Sequence, residues 1–301
     1  MIVAAVQSQE LADAVGDVEG VEVVVWPEGE RLPARAEEIE FLVPDYTRAR
    51  STARELAGLP RLRAVQLQTA GYDSVVDLVP PSLDLLSARG VHDDATAELA
   101  LGLTIASLRG IDVAVREHGH WQQDVERRSL ADSSVAILGY GSIGRAVAAR
   151  MLACRALVTG VATSPREDEL VGRVVSVDEV DWASQHVVVV VLPLSERTRH
   201  LVDAAFLARL RDGALVVNVG RGALLDNAAV MSEAGRLRFA LDVTDPEPLP
   251  DDHLLWAADG VLITSHIAGG TTAMLPRMAA LVRDQLGRLR DGRPLRNLVL
   301  R

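Results

Sequence analysis

Short runs of β-branched residues alternate along this chain with segments whose apolar positions recur at helical spacing. Runs such as Val187–Leu192 are too uniformly apolar for strands with one wet face, so they predict parallel strands covered on both sides. The first part reads as strands at Ile2–Val6, Val21–Trp26, Phe41–Val43, Ala64–Gln68 and Leu83–Ser87, with helical spacing over Arg48–Leu59. A second, stronger set lies at Val135–Leu138, Ala156–Ala162, Val187–Leu192, Ala214–Val219, Phe239–Val243 and Val261–Thr264. A long helical pattern over Ala95–Val115 joins the two sets. Another over Ala273–Leu289 is stopped by Asp291-Gly292-Arg293-Pro294 ahead of a short Leu298-Val299-Leu300 end. This rhythm predicts an α/β protein with two doubly wound parallel-sheet domains, the second strand set matching a nucleotide-binding sheet.

Composition narrows the function. The length, 301 residues, allows two domains, and 49% hydrophobic with 24% charged residues excludes global disorder. Forty-two acidic against thirty-one basic side chains give a net charge of −11, which leaves no basic field for a nucleic-acid backbone. Every basic residue other than histidine is arginine, so a lysine Schiff base and a G-K-[ST] phosphate loop are both excluded. The single cysteine, Cys154, excludes an intramolecular disulfide and a multi-cysteine zinc site, and it reads as a packed side chain. A reducing cytoplasm fits best. No apolar run reaches the ~18 residues of a membrane span, and Ile2–Val6 lacks the basic start of a signal peptide. The expectation is a soluble cytoplasmic protein.

The first chemical signal is Gly139-Tyr140-Gly141-Ser142-Ile143-Gly144, which follows the Val135–Leu138 strand and opens a helical pattern. In such a G-x-G-x-x-G turn the first glycine permits the tight bend, the second lets a pyrophosphate approach backbone N–H groups, and the third lets helix pack on strand. A glycine-rich turn without a ligand has the same bare spelling, but the strand–turn–helix setting favours a dinucleotide. An NAD-specific site would place an acid at the end of the next strand, to hold the ribose 2′-hydroxyl. Here that region reads Ala162-Thr163-Ser164-Pro165-Arg166. Thr163, Ser164 and Arg166 suit a 2′-phosphate, so NADP(H) is favoured and NAD(H) possible. The competing reading makes Arg166 a solvated charge beside Glu167 and Asp168.

Three further strand ends carry ionisable groups: Arg221 after Ala214–Val219, Glu247 in the proline-rich loop after Phe239–Val243, and His266 after Val261–Thr264. Ligands bind at the carboxyl ends of strands in open α/β sheets. Reduction of a 2-oxoacid needs these three groups: an arginine for the carboxylate, a histidine to protonate the forming alkoxide, and a carboxylate to orient the imidazole and raise its pKa. Singly, each has a bland alternative as an ion-pair partner, a loop charge or a cap.

Together these stretches resemble the NAD(P)-dependent D-isomer-specific 2-hydroxyacid dehydrogenases, over nearly the whole chain. Besides the glycine turn, the likeness rests on Asn218 through Asp226, on Leu241-Asp242-Val243 through Glu247-Pro248-Leu249-Pro250, and on His253-Leu254-Leu255-Trp256 followed by His266-Ile267. The resemblance implies catalytic roles for Arg221, Glu247 and His266, with Arg221 and His266 also touching substrate. It implies a substrate loop at Thr69-Ala70-Gly71-Tyr72-Asp73, where amides of Ala70 and Gly71 hold the carboxylate. Cofactor contacts are implied at Gly139, Gly141, Ser142, Ile143, Gly144, Leu192, Pro193, Thr198, Val219 and Asp242, beside Thr163, Ser164 and Arg166. The implied fold is a Rossmann cofactor domain, residues 95–274, inserted into a flavodoxin-like substrate domain, residues 1–94 and 275–301. A homodimer through the cofactor domain is implied as well.

The expected reaction is hydride transfer between NADP(H) or NAD(H) and a small 2-oxoacid or D-2-hydroxyacid, with glyoxylate or hydroxypyruvate as the leading substrate. Two alternatives stay open: a corepressor-like NAD(H)-binding regulator with little turnover, and a dehydrogenase of another small acid such as phosphite. Ser265 and Thr244 depart from the family pattern, which has a proline and an aromatic residue there in many members. The length matches members without a regulatory domain, which disfavours a feedback-regulated phosphoglycerate dehydrogenase. His118 and His120 lack a third close ligand, so no metal is expected. Trp121, with Gln122 and Gln123, reads as a dimer contact or a core residue.

Overall fold

The computed structural model describes residues 1–27, 33, 35–46, 49–117, 119, 121 and 126–299. These residues fall into two compact units, Met1–His92 with Thr271–Arg301, and Asp93–Gly270.

The first unit is built on a five-stranded parallel sheet of β1 (Ile2–Val6), β2 (Val21–Val25), β3 (Ile39–Val43), β4 (Ala64–Gln66) and β5 (Asp84–Leu86), in the order β2-β1-β3-β4-β5. This is the flavodoxin-like order. Successive residues point to opposite faces, so Val3, Ala5, Leu42, Val65 and Leu85 enter one core while Ala4, Val6, Phe41, Val43 and Leu86 enter the other. The helix α1 (Gln9–Val15) starts on a Ser8 cap, whose hydroxyl accepts from the Leu11 N–H at 3.2 Å. In Arg48–Leu59 only α2 (Ala49–Thr52) and a 3-10 turn at Leu56–Gly58 form. Arg48 itself, like Leu300, lies outside the described residues.

The second unit begins with α3 (Asp93–Arg109) and α4 (Ile111–Arg116). The pattern over Ala95–Val115 predicted one helix, but Gly110 adopts φ +62°, a left-handed conformation that breaks the run in two. The sheet contains β6 (Ser134–Leu138), β7 (Leu157–Val161), β10 (Val187–Val190), β11 (Leu215–Asn218), β12 (Arg238–Leu241) and β13 (Val261–Ile263), all parallel, in the order β13-β12-β11-β10-β6-β7. A hairpin of β8 (Arg166–Asp168) and β9 (Gly172–Val174) follows β7 and was not foreseen from the sequence. Just beyond it, Val175 bridges Val161 in parallel and so supplies the missing outer position of a Rossmann sheet. Helix α5 (Ser142–Ala153) packs against α3, while α6 (Ala204–Leu207) and α7 (Asn227–Glu233) begin on Asp203 and Asp226 caps. Alternation again fills two cores, with Val135, Ile137, Val187, Val189 and Val217 on one face and Ala136, Leu138, Val188, Val190 and Val216 on the other.

The chain then returns to the first unit in α8 (Met274–Arg290), whose Met278, Ala279, Val282, Leu286 and Leu289 complete a core with α1, β1 and β3. Arg283 fastens it to α1 by donating to the carbonyls of Val15 and Ala14 at 3.0 and 2.9 Å.

Candidate active site

The glycine turn sits between β6 and α5. The Gly139 and Tyr140 N–H groups donate to the Val161 carbonyl at 3.0 and 2.9 Å, which pins the turn to β7. A Cβ on Gly139 would meet the Val191 backbone at 2.7 Å, and one on Gly144 would lie 2.2 Å from the Gly139 carbonyl oxygen. A Cβ on Gly141, by contrast, would meet nothing within 4 Å. Gly141 caps α5 without a side-chain hydrogen bond, and the first turn, Ser142-Ile143-Gly144, has N–H groups with no intrahelical acceptor. Open space in front of uncapped N–H groups at a helix N-terminus fits a pyrophosphate.

Beside the turn, Thr163, Ser164 and Arg166 are exposed at the end of β7 and the start of β8. The Arg166 guanidinium lies 5.8 Å from the centre of the Tyr140 ring and donates to the carbonyls of Tyr140 at 2.7 Å and Ser164 at 3.2 Å. Asp168 is drawn away from the strand end. It accepts from the Tyr140 hydroxyl at 2.9 Å, from Arg145 at 3.2 Å and from the Leu170 N–H at 2.9 Å. Burial opposes ionisation of Asp168, but these donors outweigh it and hold the carboxyl below its usual range. Leu192 follows β10. Thr198 closes its own loop, donating to the Pro193 carbonyl at 2.7 Å and accepting from the Ser195 N–H at 2.8 Å. Val219 is buried.

At the carboxyl ends of β11, β12 and β13 the structure brings Arg221, Glu247 and His266 together. Buried Asn218 shapes the first turn, accepting from the Gly220 N–H at 3.0 Å and donating to the Arg221 carbonyl at 2.8 Å. Gly222 lets the next loop pass: a Cβ there would lie 1.9 Å from the Thr244 carbonyl oxygen. That loop brings Glu247 to His266, and Oε1 of the carboxylate pairs with Nδ1 of the imidazole.

Asp242 builds the histidine turn. It is 1% exposed, its Oδ1 accepts from the Thr264 hydroxyl at 2.6 Å and the Ile267 N–H at 2.9 Å, and Oδ2 accepts from the Ala268 N–H at 3.1 Å. Its own carbonyl accepts from the His266 N–H at 2.8 Å. These bonds fix His266 at φ +51°, a left-handed backbone that costs a non-glycine residue roughly 1–2 kcal/mol. Asn218, Gly222 and Thr264 were missed as positioning residues. A small or amide residue at or near each strand end was the available signal.

The electrostatics follow the geometry. The hydrogen bond that His266 donates to Glu247 raises the His266 pKa above its usual 6.5, helped by the charges of Glu247 and Asp242 and opposed by burial and by Arg221. Glu247 is held below the usual carboxylate range first by His266, against burial, with help from Arg221. The pair therefore favours imidazolium beside carboxylate, with the positive Arg221 close enough to act on both. The other predicted substrate contact, Ala70-Gly71, belongs to the first unit, where the Thr69 hydroxyl donates to the Gly71 carbonyl at 2.7 Å. His118, His120, Gln122 and Gln123 lie outside the described residues. Trp121 is 89% exposed. Among the described residues, no group of three or more His, Cys, Asp and Glu is arranged to hold a metal.

A Rossmann sheet with an open glycine turn, and an acid–base pair at neighbouring strand ends, serves hydride exchange with a dinucleotide. Residues 101–268 match the model for the NAD-binding domain of D-isomer specific 2-hydroxyacid dehydrogenases, and the chain belongs to that family of NAD(P)-dependent oxidoreductases acting on CH–OH groups. Hydroxypyruvate reductase of Thermotoga maritima is 32% identical over 212 residues, covering 66% of this chain and 67% of that protein. D-3-phosphoglycerate dehydrogenase of Mycobacterium tuberculosis is 31% identical over 298 residues, covering 91% of this chain but 53% of that protein. Among solved structures, a D-isomer specific 2-hydroxyacid dehydrogenase from Xanthobacter autotrophicus Py2 in complex with NADPH and MES superposes with a TM-score of 0.87. It shares 28% identity over 99% of this chain and 98% of that one.

Proposed function

We propose that this chain reduces a small 2-oxoacid, glyoxylate or hydroxypyruvate, to the 2-hydroxyacid with NADPH. The observation that carries this reading is the Glu247–His266 pair, poised to hold a proton, with Arg221 within electrostatic reach. Gly139, Gly141, Ser142, Ile143 and Gly144 hold the pyrophosphate, and Thr163, Ser164 and Arg166 meet the 2′-phosphate. Leu192, Pro193, Thr198, Val219 and Asp242 line the remainder. When bound there, the nicotinamide supplies the hydride.

Arg221 binds the 2-oxoacid carboxylate and polarises the adjacent carbonyl. His266, kept protonated by Glu247, donates its proton to the carbonyl oxygen as negative charge develops there. Ala70 and Gly71, in the first unit, offer their amides to substrate. The withdrawal of Asp168 onto Tyr140 and Arg145 supports NADP(H) over NAD(H), because it leaves Arg166 as the charge nearest the strand end. The substrate choice draws on the likeness to hydroxypyruvate reductase.

Residues 95–274 act as the cofactor domain, and 1–94 with 275–301 as the substrate domain. Exposed Ile111, Val115 and Trp121 support a homodimer through the former. Among the described residues no helix is long and apolar enough to cross a membrane. We place the reaction in the cytoplasm, where reduced cofactor and free thiols coexist.

The test is nicotinamide oxidation by the purified protein. NADPH and NADH are supplied separately against glyoxylate, hydroxypyruvate, pyruvate, 3-phosphohydroxypyruvate and longer 2-oxoacids. Fastest turnover with NADPH and one of the first two upholds the reading. Absence of turnover with every pair, despite cofactor binding, refutes it.

A further inference from the structure

The opposite ends of the same strands carry a second cluster of charge. His186 immediately precedes β10, Arg211 and Gly213 form the turn into β11, and Arg238 opens β12. The sheet gathers them: the Leu215 N–H donates to the His186 carbonyl at 3.0 Å, and the Arg238 N–H donates to the Ala214 carbonyl at 2.9 Å. Arg128, from the segment ahead of β6, reaches into this turn and donates to the Gly213 carbonyl. Arg238 is steadied by the Ser107 hydroxyl, which accepts from its Nε at 3.2 Å.

The imidazole of His186 is the informative group. Its Nδ1 accepts from the Ser134 N–H at 3.1 Å, which places the ring proton of the neutral form on Nε2. Yet Nε2 lies 2.7 Å from NH1 of Arg211, itself only a donor. Donor faces donor, an arrangement that is stable when a third group accepts from both. A water accepts both bonds but brings no negative charge to balance the arginines.

Elsewhere in this unit arginines meet acids: Arg145 meets Asp168, Arg150 meets Asp94, Arg173 meets Glu179, and Arg236 meets Glu233 and Asp212. Asp212, the nearest acid in sequence to Arg211, is thus turned to Arg236. Among the described residues no carboxylate pairs with Arg128, Arg211 or Arg238. Burial first, then the charges of Arg238 and Arg211, depress the proton affinity of Arg128. The same two causes, burial and then Arg211 and Arg128, depress that of His186. Among the described residues, these positive charges are gathered without a carboxylate counter-ion.

We propose that His186, Arg211 and Arg128, flanked by Arg238, form a binding site for a phosphate dianion, remote from the catalytic edge. The donors arise on separate elements, which suits a tetrahedral oxyanion with oxygens in several directions better than a planar carboxylate. Guanidinium groups grip such oxygens in pairs. The catalytic residues leave the other ends of β11 and β12, so roughly 10 Å of strand separates the two places. The site stands independently of which 2-oxoacid is reduced.

The test is calorimetric titration of the cofactor-free full chain at constant ionic strength, with inorganic phosphate and methyl phosphate as probes. The pair of probes tells a free anion from a phosphomonoester, and binding of either at this site upholds the proposal. In Arg128→Gln/Arg211→Gln the affinity should fall at least tenfold. In Gly141→Ala/Arg221→Ala, which disables the two anion positions of the catalytic edge, it should be retained. If the first double variant fails to fold, Arg128→Gln alone should still lose several-fold. Four outcomes overturn the proposal: no phosphate binding, unchanged affinity in the Arg128/Arg211 variant, loss in the Gly141/Arg221 variant, or equally tight binding of succinate.

Discussion

Replacing Gly222 by alanine tests whether the Thr244–Pro250 loop positions the acid–base pair. The added methyl would lie 1.9 Å from the Thr244 oxygen, where ordinary contacts begin at 3.4 Å, so the loop must retreat by 3.4 − 1.9, about 1.5 Å. Glu247 is three residues further along that loop and travels with it. Misplacement of a catalytic group by about 1 Å costs on the order of 10²-fold in rate, and that is the expected loss in kcat. The atoms met are backbone, so the displacement costs stability as well as rate, and the two are measured separately.

Steady-state oxidation of NADPH with glyoxylate gives kcat, quenching of protein fluorescence gives cofactor affinity, and a thermal melt reports folding. Gly141→Ala is the matched control. Its methyl meets nothing in the chain but stands where the pyrophosphate approaches, so cofactor affinity should fall while the acid–base pair stays in place. A Gly222→Ala enzyme with wild-type kcat, or one whose lost rate is fully explained by lost cofactor binding, would refute the reasoning.

Other outcomes follow from the same site. His266→Ala should lower turnover by about 10²–10⁴-fold with cofactor binding intact, and retained activity would remove His266 from the chemistry. With His266 as the proposed proton donor, kcat/KM for the 2-oxoacid should fall as pH rises through a pKa above 6.5, while oxidation of the 2-hydroxyacid should rise through the same value. Glu247→Gln should move that midpoint down in the pH–rate profile. Stability is linked in the same sense. The His266 contribution is full below 6.5 and lost as pH rises through its higher folded value; that of Glu247 is full above its ordinary value and lost as pH falls through its lowered one. Arg166→Ala should reduce the preference for NADPH over NADH at least tenfold, since a charge-assisted hydrogen bond is worth about 1.5–3 kcal/mol. Equal kcat/KM ratios in variant and parent would take Arg166 out of cofactor choice.

Much of the scaffold was legible because burial on both faces writes a strand as an unbroken apolar run, as at Val187–Val190, and because a tight strand-to-helix turn needs its glycines. Strand ends were overestimated by a residue or two at Leu192, Val219 and Val243, where apolar residues continue past the last ladder bond into the site. The hairpin after β7 was missed because its strands, Arg166–Asp168 and Gly172–Val174, are three residues each and mostly polar, with Val174 alone of the six buried in the core. The charged trio could be read from chain position, but its supports could not. Asp242 reaches residues more than twenty positions away, and only folding brings the Thr264 hydroxyl and the Ile267 and Ala268 amides to it. A side chain used on distant backbone leaves no local pattern.

Because Asp242 accepts from the Thr264 hydroxyl on one side of His266 and from the Ile267 and Ala268 N–H groups on the other, the turn that carries the imidazole is anchored from the end of a neighbouring strand rather than by the side chains directly beside it in sequence. Exposed Ser265 and Ile267 on either side are therefore replaceable without dislodging the proton donor. The fold thus separates an anchored turn from its two exposed neighbours, so a library at positions 265 and 267 changes the surface beside the imidazole while the bonds that hold it stay in place.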